Sequence, residues 1–254
     1  MILRYLTPVA VAATAVCLWQ FVRVTGLAGP AMLASPWEVA MGFRDLCTVG
    51  IPPGRLLPIH VWYSLLRVVS GVSLAVVLGV PLGLALGASR RIRSIIMPLV
   101  DFVRPIPPLA WVPLAILWFG LGLTSAVYLI FLGAVFPIVL STCAGVRGID
   151  HLMVDAVRIM GATRFTVWRK VLLPGAMPSI CTGIRVGMGI GWMTLVAAEF
   201  TGVRGGYGLG YMIMSARDLQ RTDVVMAGMA AIGLLGLSIE WIMGRLSNRL
   251  LRWQ

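Results

Sequence analysis

The chain has 254 residues, of which 59% are hydrophobic and only 12% are charged, and its formal net charge is +12. This composition excludes an ordinary soluble domain and indicates a polytopic membrane protein. Lys170 is the only lysine, and the arginines are scattered between apolar runs. The positive charge therefore indicates membrane topology and argues against a nucleic-acid-binding face.

Six apolar stretches are each about long enough to cross a bilayer, which takes about 20 residues. They lie at 5–22, 64–88, 95–121, 125–144, 180–198 and 224–243. We interpret the first as an uncleaved span, because no convincing small-residue cleavage site follows it. Between the first two spans, residues 36–46 predict a short amphipathic helix at the membrane surface. The predicted fold class is an all-α polytopic membrane protein, with one transmembrane domain over residues 1–254.

The third span contains the sequence RPIPP at 104–108. Proline lacks an amide hydrogen and disfavours the α conformation in the residue before it, so this span must be broken or kinked. Helix ends at membrane depth persist only inside protein or beside a wet cavity, which makes Arg104, Pro105 and Trp111 candidates for a substrate pathway. A kink that serves only packing is the alternative, and Asp101 could simply neutralise Arg104.

The fifth span provides the remaining pathway candidates, which are Arg185, Thr194 and Glu199. Charges at membrane depth are costly and usually face a partner or a cavity, and the same holds for Arg67 at the start of the second span. A planar guanidinium also matches the geometry of an oxyanion. As an alternative, the side chain of Arg185 could reach the cytoplasmic interface.

Residues 150–178 form the only long, charged and helix-patterned segment between the apolar runs. Apolar residues recur there every three to four positions, as in an amphipathic helix. Asp150 is a predicted N-cap for a helix ending near Gly161, and Thr163 is a predicted cap for a second helix that Pro174 stops. The segment must cover lipid or bind a partner; an ordinary amphipathic surface hairpin is the plain alternative.

Loop charges predict the orientation. With the N-terminus inside, the cytoplasmic segments carry about twelve lysines and arginines and the outer segments about six. Both termini are then cytoplasmic. The loop at 145–178, between spans four and five, is cytoplasmic too.

Several catalytic and metal-binding motifs are absent from the sequence. It has no GxxxxGK[ST] phosphate loop, no HExxH or GxSxG motif and no carboxylates paired at catalytic spacing. The four cysteines are far apart and support neither a zinc site nor a disulfide framework. We therefore expect no catalytic residue, no metal site and no ATP hydrolysis in this chain.

The hairpin resembles the cytoplasmic loop of binding-protein-dependent ABC importer permeases. That family has EAA, three residues, Gly, nine residues and Ile-x-Leu-Pro. Here Asp155-Ala156-Val157 is followed at the same spacing by Gly161 and by VLLP at 171–174. Segments 104–122, 189–200, 207–217 and 222–228 look like the permeases for nitrate, taurine and alkanesulfonates, and the last three lean toward the taurine and sulfonate members.

The resemblance implies a non-catalytic permease in a bacterial cytoplasmic (inner) membrane. It also implies a homodimer of six-helix subunits, two cytosolic ATPase subunits that bind ATP and magnesium, and a periplasmic or lipid-anchored substrate-binding protein. No cofactor is implied for this chain. The cargo expected is a small oxyanion, with taurine or another organosulfonate first, moved by alternating access. The residues implied to couple the ATPase are Asp155, Ala156, Gly161, Ala162, Leu173 and Pro174.

Other functions remain open at this point. Within the same class, the cargo could be nitrate, bicarbonate or a pyrimidine vitamin precursor. An ion-driven secondary transporter would also be polytopic, but it should carry inverted halves and an intramembrane carboxylate relay, and neither is evident. An intramembrane enzyme is disfavoured by the missing catalytic constellation.

Overall fold

The computed structural model describes residues 3–27, 29, 32–50, 54–200 and 206–251, and within these ranges it contains helices and turns but no β-strand. The predicted all-α fold class is confirmed. The helices in chain order are α1 (Leu3–Val24), α2 (Pro36–Thr48), α3 (Leu57–Ala88), α4 (Arg90–Val103), a 3₁₀ turn (Pro108–Trp111), α5 (Val112–Phe119), α6 (Leu123–Arg147), α7 (His151–Ile159), α8 (Arg164–Val167), a π-helical segment (Trp168–Leu172), α9 (Leu173–Phe200), α10 (Leu209–Asp218) and α11 (Thr222–Leu250).

Four helical stretches in the described ranges are long and apolar enough to cross a membrane. A fifth candidate is the bent pair formed by α4 and the Pro108–Phe119 segment. The apolar part of α1, Ala13–Val24, is shorter than a span. The polytopic membrane fold is confirmed, while the count of six spans and the cytoplasmic side of the termini stay predictions. The four stretches are Leu57–Ala88, Leu123–Arg147, Phe165–Phe200 and Thr222–Leu250.

The third predicted span is broken at its prolines, as expected. Arg90–Val103 and Pro108–Phe119 meet at an angle of 84°. Pro107, between them, has an extended backbone with φ −57° and ψ 138°. Arg104, before Pro105, keeps an α conformation, so the break is set further on, where Pro108 holds the preceding Pro107 in this extended conformation and begins the next helical segment.

The described residues group into two compact units. One comprises Ser64–Gly205 with Gly236–Gln254, and α6 is its central helix, packing most extensively against α9. Leu129 and Ile130 of α6 and Leu195 of α9 are fully buried. The core of this unit therefore lies along these two apolar helices.

Glycines let the helices of this unit approach closely. Gly79, Gly83 and Gly87 of α3 all face α6, and a Cβ on Gly83 would lie 2.6 Å from the Thr142 Cβ. On α9, Gly183 faces α6 in the same way, with a hypothetical Cβ 2.8 Å from the Ser141 side chain. This spacing of small residues every four positions is typical of membrane helices that pack backbone against backbone.

The other unit comprises Met1–Tyr63 with Gly206–Leu235. Its helix α2 confirms the helix predicted at 36–46 and begins with a capping box. The Ser35 hydroxyl accepts a hydrogen bond from the Glu38 amide at 3.2 Å, and the Glu38 carboxylate accepts one from the Ser35 amide at 2.7 Å. These bonds stabilise the carboxylate form, so the pKa of Glu38 is lowered from its ordinary value of 4.5.

An exposed ionic cluster joins two elements of this second unit. The Arg221 guanidinium donates hydrogen bonds to the carboxylate of Asp45 on α2 at 2.9 Å and to that of Asp223 on α11 at 2.7 Å. The hydrogen bond to Asp223 makes the larger contribution and the hydrogen bond to Asp45 the smaller one, and both raise the pKa of Arg221. The cluster thus holds α2 to the start of α11.

Candidate functional site

The first helix of the predicted hairpin begins and ends as its sequence indicates. Asp150 is its N-cap, and its side chain accepts a hydrogen bond from the Leu152 amide at 2.9 Å. Helix α7 carries two predicted coupling residues, Asp155 and Ala156, both of which are exposed. Asp155 forms an exposed ion pair with Arg158 at 3.4 Å, which contributes little to stability.

Gly161 closes α7 in a Schellman arrangement. Its amide donates to the Arg158 carbonyl at 2.9 Å, and the Ala162 amide donates to the Val157 carbonyl at 3.2 Å. The φ of Gly161 is +82°, a left-handed conformation that favours glycine. The glycine break is as predicted, and its physical reason is the backbone conformation and not a lack of space, because a Cβ there would meet no atom within 4 Å.

The second half of the hairpin is capped as predicted but does not end as predicted. The Thr163 hydroxyl accepts a hydrogen bond from the Thr166 amide at 3.3 Å. The prediction that Pro174 stops this helix is wrong, because Phe165–Phe200 is one continuous helical stretch. The π-helical segment before Leu173 explains this, since its wider turn accommodates the proline ring and needs no amide hydrogen from it.

The two halves of the hairpin border a shared groove. Ala156 of α7 and Pro174 of α9 both line this groove, whose volume is about 770 Å³. Leu173 packs at the edge of the buried cluster that contains Leu84 and Ile180. The predicted coupling residues are therefore gathered on one hairpin, with Leu173 fastening it to the membrane-spanning core.

An exposed apolar surface covers the outside of the hairpin, and we call it the hairpin patch. Ile159 and Met160 are 87% and 84% exposed, and the other large members are also more than half exposed. Exposed apolar surface next to a glycine turn and several charges is typical of a protein-binding site. The patch comprises Leu152, Met153, Ile159, Met160 and Phe165.

The candidates at the broken span differ in exposure. Arg104 and Pro105 are exposed, while Trp111 is partly buried and packs against the cluster of Val112, Ala115, Leu129 and Ala198. Among the ion pairs of the described residues, none joins Asp101 to Arg104. The structure thus does not support the idea that Asp101 neutralises Arg104.

Glu199 lies in a buried ionic cluster. It accepts hydrogen bonds from the Arg67 guanidinium at 2.5 Å and from the Ser64 hydroxyl at 2.9 Å. The Arg67 and Glu199 side chains are only 3% and 1% exposed. Thr194 is also buried, and its hydroxyl donates to the Ile190 carbonyl of its own helix at 2.8 Å. In the single chain, Glu199 therefore links α9 to α3, while the Thr194 hydroxyl bonds within α9.

Arg185 has a partner that the sequence reading missed. Its Nε and Nη2 atoms both bind the Glu240 carboxylate on α11, so its side chain is not left to reach the interface alone. Both side chains are about half exposed, at 49% and 50%. Glu240 follows an apolar run of α11, and an acidic residue in such a helix was the available signal.

No group of three or more His, Cys, Asp or Glu that could hold a metal occurs among the described residues. The arrangement contains instead a helical hairpin with an exposed apolar patch, a broken span and two arginine–glutamate pairs at the membrane-spanning helices.

Comparison with known proteins identifies the family of this chain. Residues 75–252 match the family described as "Binding-protein-dependent transport system inner membrane component". The chain is 38% identical over 239 residues to the taurine transport system permease protein TauC of Escherichia coli (strain K12), covering 93% of this chain and 85% of TauC. It is 34% identical over 189 residues to the bicarbonate transport system permease protein CmpB of Synechococcus elongatus, covering 74% of this chain and 68% of CmpB.

A solved structure has the same fold. A chain of the MetNI methionine ABC transporter, in inward-facing conformations, superposes with a TM-score of 0.64 at 23% identity, covering 75% of this chain and 94% of that one. At this identity the likeness shows the fold alone.

Proposed function

Because this chain belongs to the family of binding-protein-dependent transport system inner membrane components, we propose that it imports a small organosulfonate, with taurine first. As an ABC importer permease it is a non-catalytic, multi-pass membrane subunit. The observation that carries the cargo is the 38% identity to a taurine permease, which extends over 93% of this chain. We assign it to a bacterial inner membrane.

Bicarbonate is the second candidate cargo. It is favoured by the 34% identity to a bicarbonate permease, which covers a smaller part of the chain. Both cargoes are small oxyanions, so the arginines of the proposed pathway suit either one. A direct uptake measurement must separate them.

The hairpin patch is the proposed contact with a cytosolic ATPase. Ile159 and Met160 are almost fully exposed at the turn that Gly161 closes, and apolar side chains of this size are stabilised when a partner covers them. Asp155 and Ala156 lie on the same short helix. ATP and magnesium would be bound by two such ATPase subunits, while this chain supplies the surface that they move.

A second permease copy is proposed to cover the pair of Arg185 and Glu240. Half-exposed charges on two membrane-spanning helices are costly against lipid and are expected to face protein or water. A homodimer around a central pathway provides both. ATP binding would draw the two hairpins together and open the pathway outward, and hydrolysis would reset it inward.

Arg104, Pro105, Trp111 and Arg185 are the proposed pathway residues with exposed or partly exposed side chains. Thr194 and Glu199 are buried in the single chain, so we propose that they act by positioning α9. The cognate binding protein would deliver the cargo from the periplasm.

Reconstitution with the cognate ATPase and binding protein in proteoliposomes tests the function. We expect saturable uptake of radiolabelled taurine that requires both ATP and the binding protein and that alkanesulfonates inhibit. ATP-driven uptake of bicarbonate without any organosulfonate uptake would establish the second candidate instead. Uptake driven by an ion gradient without the ATPase would overturn the class of transporter.

The pathway is tested in the same vesicles. We expect Arg104→Gln to raise the taurine concentration needed for half-maximal uptake while leaving assembly with the ATPase intact. Asp101→Asn, one turn away on the same helical segment, is the matched control and should behave as the parent. Equal behaviour of the two variants would remove Arg104 from the pathway.

A further inference from the structure

A basic pocket of about 490 Å³ lies where two membrane-spanning helices end. Ala88, the last residue of α3, and Arg147, the last residue of α6, both line it. Because helices of this kind end near the bilayer surface, we infer that the pocket lies at the depth of lipid headgroups. Its charged and titratable lining residues are Arg90, Arg93, Arg147, His151, Asp155 and Arg158.

The pocket carries a clear excess of positive charge. Its four arginines come from three different helices, and Asp155 is the only carboxylate among its described lining residues. Asp155 pairs with Arg158 at 3.4 Å. Among the ion pairs of the described residues, none includes Arg90, Arg93 or Arg147. Arg93 donates one hydrogen bond to the Leu86 carbonyl at 3.5 Å, and no carboxylate in these ion pairs neutralises the charge of the three guanidinium groups.

The helix beside the pocket has an exposed apolar face. Ile95, Leu99 and Phe102 of α4 recur at spacings of four and three residues, and each is more than 60% exposed. Arg90 and Arg93 lie on the first turn of the same helix and line the pocket. An amphipathic helix with basic residues beside an apolar face is suited to the boundary between headgroups and acyl chains.

We propose that the basic pocket binds the phosphate group of an anionic phospholipid, with the acyl chains lying along the apolar face of α4. Guanidinium groups match phosphate oxygens two at a time, and basic pockets at the cytoplasmic ends of spanning helices bind anionic headgroups. The general excess of arginine on the cytoplasmic side of membrane proteins does not require the arginines to share a cavity. Here four arginines line the same pocket, which indicates a binding site. The site is independent of the cargo, and it connects the lipid to the helix that carries the hairpin patch.

Lipid retention tests this site directly. The full transporter would be purified from membranes containing phosphatidylglycerol, and the bound lipid would be counted by native mass spectrometry. We expect Arg93→Gln/Arg147→Gln to bind phosphatidylglycerol roughly 30-fold more weakly than the parent, because two basic contacts are lost. Arg91→Gln removes a charge from the same turn without touching the pocket and is the matched control.

The outcomes are distinguishable. Equal retention of phosphatidylglycerol in the double variant and in Arg91→Gln would overturn the proposal. So would binding of inorganic phosphate in detergent, lost in the double variant, if phosphatidylglycerol retention were unchanged. If the double variant loses the ATPase even in phosphatidylcholine nanodiscs, the pocket contacts an acidic protein surface and the lipid proposal fails.

A charge-conserving variant distinguishes a loss of lipid binding from misfolding. Arg93→Lys/Arg147→Lys should retain more phosphatidylglycerol than the glutamine variant, because the attraction to phosphate persists without the bidentate geometry. If both double variants assemble with the ATPase as the parent does and still bind lipid equally, the arginines do not form a lipid site. Because the readout is bound lipid, a wrong cargo assignment would leave the result unaffected.

Discussion

Substitutions at Gly161 test whether the hairpin depends on the backbone conformation of this residue or on the space around it. The φ of this residue is +82°, and a Cβ would meet no atom within 4 Å. A Cβ therefore meets no steric obstacle, and the cost of a substitution lies in its backbone preference. A left-handed conformation costs an ordinary residue roughly 1–2 kcal/mol, and a β-branched residue lies at the upper end. Asparagine adopts it more readily, because its short polar side chain can hydrogen-bond to the local backbone.

This difference should appear in coupling. A cost of about 2 kcal/mol makes the observed turn at position 161 roughly 30-fold less favourable relative to other backbone conformations. We expect Gly161→Val to insert into the membrane normally but to lose most of the ATPase stimulation caused by the loaded binding protein. Gly161→Asn should stay close to the parent. The assay is ATP hydrolysis by the reconstituted transporter, with co-purification of the ATPase as a second readout.

The comparison can fail in two ways. Equal loss of stimulation in both variants would mean that contact with the new side chain, and not backbone conformation, is what matters. Full stimulation in Gly161→Val would mean that the shape of the hairpin does not control coupling.

Three further predictions concern stability and helix formation. Glu199→Gln leaves the buried Arg67 without its counter-ion and should cost roughly 3–5 kcal/mol, seen as a lower unfolding temperature in detergent, and an unchanged temperature would contradict the burial of the pair. Gly183→Val should disrupt the packing of α9 on α6, while Gly189→Val, which has open space on the same helix, should not; equal expression and unfolding temperature of the two would refute this. The Glu38 carboxylate, whose pKa is lowered by its hydrogen bonds with Ser35, stabilises the start of α2 above about pH 4.5. Amide exchange in α2, corrected for its intrinsic rate, should therefore accelerate as the pH falls below that value. Glu38→Gln should abolish this pH dependence.

Local sequence signals predicted the hairpin well. The capping residues Asp150 and Thr163 and the glycine at 161 act within one or two turns of the chain, so their effect is visible in the sequence. The break at 104–108 is local in the same sense, because proline restricts its own backbone and that of its neighbour.

Features that depend on distant residues were less predictable. The continuation of the helix through Pro174 needs the π-helical segment before it, and no residue type marks such a segment. The partner of Arg185 is 55 positions away, so its identity depends on how α9 and α11 pack. The glycines at 79, 83 and 87 do carry a pattern, four residues apart, which indicates close helix packing but not which helix is approached.

The uninterrupted helix from Phe165 to Phe200 has a mechanical consequence. Its 36 residues extend for roughly 50 Å and carry part of the hairpin patch at one end, Arg185 midway and Glu199 at the other end. Because its backbone is helical throughout, a displacement of the hairpin is transmitted along α9 toward both ion pairs. Movement of the hairpin therefore exerts force on both the exposed Arg185–Glu240 pair and the buried Arg67–Glu199 pair. The position of the hairpin and the geometry of both ion pairs then change together during the transport cycle.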